Sequence, residues 1–92
     1  MTLTNEMINT AKTILNKYEG QNITETIANE IKREVNANRV EVDDYFNEAY
    51  IVFDGWVVKI TDNEVFGEEV KRVTILDIED EEVDEIYAEE RE

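Results

Sequence analysis

Carboxylates are the reactive groups this chain holds in quantity. Its 92 residues include 24 Asp+Glu but no His and no Cys. The commonest acid–base catalyst and the thiolate reactions are therefore missing. Ser is absent as well, which excludes a serine nucleophile. Paired acids could instead hold a metal. Asp43 and Asp44 are adjacent at a strand end and could bind Mg²⁺, although neighbouring acids at a turn are ordinarily just solvated. Asp62, Asn63, Glu64 and Gly67 have the beginnings of a calcium loop. The fifth ligand position would be Phe66, however, and the twelfth Val73, where such a loop needs a bidentate Glu. Gly20, Gly55 and Gly67 stand alone, so no glycine-rich phosphate cradle exists. Asn22-Ile23-Thr24 matches a glycosylation acceptor but reads better as a helix cap. Trp56 could stack on a base, yet its place in a hairpin makes it core. The expectation is a protein without catalysis, cofactor or metal.

Charge is the remaining chemistry. Net charge is −15 and the sequence pI about 4.2, with 36% charged residues against roughly 25% in an average domain. So acidic a chain repels polyanions, which excludes direct binding to nucleic acid or to an anionic membrane as the default. The charge is uneven. Residues 77–92 hold ten acids and only Arg91 as a base, and so carry more than half of the net charge.

The elements that must position these acids follow from periodicity. Leu3, Met7, Ile8, Ala11, Ile14, Leu15 and Tyr18 fall on one face of a helix over Leu3–Tyr18. Thr2 or Thr4 caps it and Gly20 ends it. A second helix carries Ile23, Ile27, Ala28, Ile31 and Val35. Asn22 with Glu25 resembles a capping box at its start, and Asn36 to Asn38 suit its stop. The period then drops to two. Val40 and Val42 mark a short strand that ends at Asp43–Asp44. Ala49–Phe53 and Trp56–Thr61 flank Asp54-Gly55, a strong hairpin signal. Its register sets Phe53 opposite Trp56, Ile51 opposite Val58 and Ala49 opposite Ile60, all on the helix-facing side. Asp62–Glu69 reads as a connection, with room for a short strand at Val65–Phe66. Arg72–Ile78 is the last strand, covered in part on both sides. The fold class is α+β: an N-terminal helix pair packed on one face of a three- to four-stranded, mostly antiparallel sheet.

The division is a core over residues 1–79 and an acidic C-terminal helix or tail over 80–92. Val83, Ile86 and Tyr87 share a helical stripe that Asp80 could cap. Like-charge pairs such as Glu81–Glu85 and Glu85–Glu89 oppose that helix, and about twelve residues is marginal for one standing alone. Carboxylates roughly 5–7 Å apart on a folded surface could fill a Lys/Arg channel built for phosphates. The candidates are Asp77, Glu79, Asp80, Glu81, Glu82, Asp84, Glu85, Glu89 and Glu90, with Glu64, Glu68 and Glu69 nearby. Ile86, Tyr87 and Phe66 are candidate apolar anchors. The plain alternative is a solubilising tail, but that purpose needs no apolar stripe.

The run Asp77-Ile78-Glu79-Asp80-Glu81-Glu82-Val83-Asp84-Glu85, on a short cysteine-free chain of two helices and a sheet, resembles the small acidic phage-encoded inhibitors of bacterial defence. These are anti-CRISPR proteins and DNA mimics that inhibit restriction enzymes or uracil glycosylase. The likeness lies in composition and layout, with no shared motif. It implies a stoichiometric inhibitor occupying the nucleic-acid or PAM-reading channel of a nuclease. The expected partner is then a basic nucleic-acid-binding protein, bound by a monomer or dimer of this chain in the bacterial host cytoplasm. No apolar run approaches the roughly 18 residues of a membrane span, and the N-terminus lacks the layout of a signal peptide. Two rival expectations stand beside this one. One is an interaction or assembly module that uses its helix pair or sheet edge, with an inert tail. The other is a metal-dependent enzyme built on Asp43 and Asp44.

Overall fold

The computed structural model describes residues 3–77 and 82–87. Helix α1 spans Asn5–Tyr18, and Thr4 caps it by accepting the Met7 N–H at 3.2 Å. Met7, Ala11, Ile14, Leu15 and Tyr18 are its buried stripe, the three-and-four spacing of one helical face. It begins at Asn5 because the Thr4 backbone is extended, the conformation a capping residue adopts. Helix α2 spans Glu25–Val35. Its cap is Thr24, whose hydroxyl accepts the Ile27 N–H at 3.3 Å, which corrects the expectation of Asn22. Ile23, just before this cap, and Ala28, four positions after it, are both buried. That is the arrangement of a hydrophobic staple, and it fixes where the helix starts. Asn36 ends α2 in the left-handed region at φ 59°.

Five strands follow: β1 (Arg39–Asp43), β2 (Glu48–Val52), β3 (Trp56–Val65), β4 (Glu68–Asp77) and β5 (Glu82–Tyr87). They form one antiparallel sheet in the order β1-β2-β3-β4-β5, so each strand lies beside its neighbour in the chain. The Asp54-Gly55 hairpin has the expected register, with Ala49 opposite Ile60 and Ile51 opposite Val58. The Phe53 N–H donates to the Trp56 carbonyl at 2.9 Å to close it. Helix α1 lies over β4, and α2 over β1 and β2. Between the layers, Ala49, Ile51, Val58, Ile60, Val73 and Ile75 meet Ala11, Ile14, Leu15, Tyr18 and Ala28, and all are fully buried. This is the α+β layout that the periodicities predict, with the helix pair on one face of an antiparallel sheet. Strand β4 is covered on both faces, since Thr74 and Leu76 are buried as well as Val73 and Ile75.

Two stretches differ from expectation. Asp62–Glu69 is no loose connection: β3 and β4 run on through it to a two-residue turn at Phe66-Gly67. Both turn residues have positive φ, 53° and 79°, as a tight hairpin turn matched to strand twist requires. Between 80 and 92, the described residues Glu82–Tyr87 form a strand and not a helix. They pair with β4, Arg72 opposite Tyr87 and Thr74 opposite Glu85, with a register shift between Ile75 and Leu76. A helix would place like charges four residues apart and have to stand alone. The edge of β4 offers a ready ladder instead, and Val83, Ile86 and Tyr87 are β-formers.

Candidate protein-binding surface

Strands of unequal length create the most prominent feature of the surface. Pairing of β2 with β3 ends at Glu48 opposite Thr61, and the described part of β5 reaches β4 as far as Tyr87 opposite Arg72. Four rungs of the β3–β4 hairpin continue past β2, from Asp62 opposite Lys71 to Val65 opposite Glu68. The arm is therefore about 13 Å long. An ion pair secures its base: Lys71 Nζ lies 2.6 Å from Asp62 Oδ1, and both side chains are nearly buried. Asn47 Nδ2 also donates to Asp62 Oδ2. At the tip, Phe66 is wholly exposed.

Two more aromatic residues lie at this end of the sheet, in the turn between β1 and β2. Tyr45 is 88% and Phe46 65% exposed, and their rings meet edge to face with centroids 4.9 Å apart. Asp43 shapes the turn, its Oδ1 accepting the N–H groups of Tyr45 and Phe46 at 3.0 and 3.2 Å. The carboxylate proposed above as a magnesium ligand is thus engaged as a turn-former. Among the described residues, no group of three or more acids is spaced to hold a metal ion. Tyr45 and Phe46 belong to neither apolar stripe of the sequence. The available signal was a pair of aromatic residues between Asp44 and Asn47 that fits neither period.

The face of the sheet away from the helices has a hollow of about 780 Å³ near the Asp54-Gly55 turn. Val52, Val57 and Leu76 supply its apolar lining, with Arg39, Tyr50 and Lys59 around them. Its cations are already matched. Arg39 pairs with Glu41 at 3.1 Å, and Lys59 with Glu48 at 3.4 Å. Trp56 stacks on Phe53 at a centroid distance of 4.2 Å and packs against the core.

The structure distributes the acids named in the sequence along the β4–β5 flank. Glu68 is exposed near the tip of the arm and Asp77 lies half-buried at the far end of β4, opposite Trp56. Glu64 and Glu69 occupy facing positions on the arm. In β5, Glu82 takes register with Leu76, Asp84 with Ile75 and Glu85 with Thr74, while Ile86 faces Val73 and Tyr87 faces Arg72. Glu79, Asp80, Glu81, Glu89 and Glu90 lie outside the described residues. From Glu68 to Asp77, β4 extends about 30 Å. The acids thus share one side of the sheet, but Ile75 and Thr74, which set the register of Asp84 and Glu85, belong to opposite faces. A single helical face of acids is not formed by Glu82–Tyr87.

No helix among the described residues is long and apolar enough to cross a membrane. Comparison with protein-family models, with curated proteins and with solved structures finds no match.

Proposed function

We propose that this protein is a non-enzymatic inhibitor that binds a basic groove of a nucleic-acid-processing protein, a CRISPR nuclease or another defence nuclease, by presenting carboxylates in place of phosphates. The observation that carries this reading is the incorporation of Glu82, Asp84 and Glu85 into an edge strand beside β4. A ladder of hydrogen bonds holds their backbone in fixed register. Glu82 and Glu85 take register with Leu76 and Thr74, alternate residues of β4 about 6.8 Å apart, a spacing comparable to that of phosphates along a nucleic-acid strand. With Asp77 at one end of the flank and Glu68 and Glu69 at the other, the array has the reach of about nine base pairs. Its role would be occupancy, with no turnover.

The test is DNA cleavage by a panel of purified RNA-guided and restriction nucleases with this protein added. Inhibition of at least one nuclease at a one-to-one ratio is expected. It should weaken between about 0.05 and 0.5 M NaCl, because ions screen complementary charge. The triple variant Glu82→Gln, Asp84→Asn, Glu85→Gln should inhibit less. Full cleavage throughout the panel, or inhibition indifferent to salt, would refute the proposal.

A second reading has its own observation. Among the described residues, strand β1 is bordered on one side only, leaving an edge to which a partner strand could add. The protein would then be an interaction module using that edge, and removal of residues 80–92 would leave its binding intact.

A further inference from the structure

We infer that Phe66, at the tip of the β3–β4 arm, is an anchor that inserts into an apolar pocket rimmed by Lys or Arg on a partner protein. Three costs at the tip have no return among the described residues. First, Phe66 adopts φ 53°, a left-handed backbone that disfavours residues with a bulky side chain. Among the described residues, the other non-glycine residues at positive φ are Asn36 and Asn47, the residue type this geometry favours. Second, the ring is fully in water, although an aromatic side chain gains free energy mainly by leaving it. Third, the second rung behind the turn pairs Glu64 with Glu69 in register, and like charges at facing strand positions repel. Asn-Gly would make the same turn without the first two costs.

All three are relieved by one kind of contact. A hydrophobic recess takes the ring, and cations around its mouth meet Glu64, Glu68 and Glu69. A lipid surface fits less well, since the acids repel an anionic leaflet. A second copy of this chain would bring an identical acidic arm. Buried aromatic anchors dominate protein interfaces, and an arm that runs on beyond β2 can reach into a recess that a flat sheet cannot. Tyr45 and Phe46, at the same end of the sheet, extend the apolar contact. The inference rests on the inhibitor reading only for the kind of protein that owns the recess.

The test uses the full chain and three synthetic twelve-residue peptides, composed of Leu and Lys, of Ser and Lys, and of Leu and Ser. Fluorescence anisotropy of the labelled peptides is expected to show the Leu–Lys peptide binding about tenfold or more tighter than either of the others. Phe66→Asn should erase that advantage while raising the melting temperature by about 4–8 °C, because it relieves the turn. Equal binding of the Ser–Lys peptide, or an unchanged Leu–Lys affinity in the variant, would overturn the anchor. So would a lower melting temperature for Phe66→Asn, which would make the ring a structural element. Self-association on sedimentation, or partition onto neutral phosphatidylcholine vesicles, each lost in the variant, would replace the protein recess by a second copy or a lipid. Nuclease inhibition is read separately. Its absence alongside intact peptide discrimination would remove the inhibitor reading and leave the anchor standing.

Discussion

Tyr18 ends α1 with its ring fully buried and its hydroxyl without a hydrogen-bond partner among the described residues. A buried hydroxyl left unpaired costs about 1–3 kcal/mol, which the packing of the ring between helix and sheet must exceed. Burial also pushes the phenol from its ordinary pKa of 10.0 up to about 12, because the charged form is shut away from water. The unfolded chain would release this proton near 10.0 and the folded chain near 12. Tyr18 therefore favours folding fully below pH 10 and loses that contribution between pH 10 and 12. Tyr18→Phe should be more stable at pH 7 by about 1 kcal/mol. Its advantage should grow across the alkaline window, as measured by urea denaturation of both proteins. A gap constant from pH 9 to pH 12 would contradict the burial account. Lys71 is the contrasting case, since its charge is nearly buried but matched at 2.6 Å by Asp62.

At the scale of elements, β5 completes the sheet, and the residues described in the helix-facing core come from α1, α2 and β1–β4. Deletion of residues 78–92 should accordingly leave a single cooperative melt by circular dichroism, at a lower temperature. Hydrogen exchange should show lost protection for the β4 amides that face β5, and retained protection for those that face β3. A chain unfolded by the deletion would make β5 integral to the core. The same elements show what the sequence could convey. The helix stripes and the Asp54-Gly55 hairpin were legible because residue spacing and local turn chemistry determine them. Thr24 and Asn22 are both good caps, and the burial of Ile23 decides between them, which is a tertiary fact. The Phe66-Gly67 turn was illegible because Phe is a poor signal for positive φ. Val83, Ile86 and Tyr87 fit a helical stripe and a strand alike, and the open edge of β4 selects the strand.

For the molecule as a whole, fifteen net negative charges on a chain of 92 residues repel one another in the compact state. The exposed ion pair Lys17–Glu34, at 2.5 Å between the helices, offsets little of this, because surface pairs contribute only about 0–1 kcal/mol. Added salt should therefore stabilise the protein. The melting temperature is expected to rise between about 0.02 and 0.5 M NaCl as the Debye length shrinks below the spacing of the charges. A fall would mean that attractive pairs outweigh the general repulsion. The excess of acid near the end of the chain was legible as arithmetic. Its arrangement was not, since strand register alone decides which acids become neighbours. The aromatic end of the sheet was equally hidden, because it depends on two turns distant in sequence meeting at one edge of the fold.

The docking of α1 over β4 has a consequence for synthesis on the ribosome. The strands can zip together one after another as they emerge, since each finds its mate in the segment just made. Helix α1, amphipathic and made before the strands, must nevertheless wait for most of its bed until residues 68–77 have been translated. Helix α1 is thus made well before the strand on which it is seated.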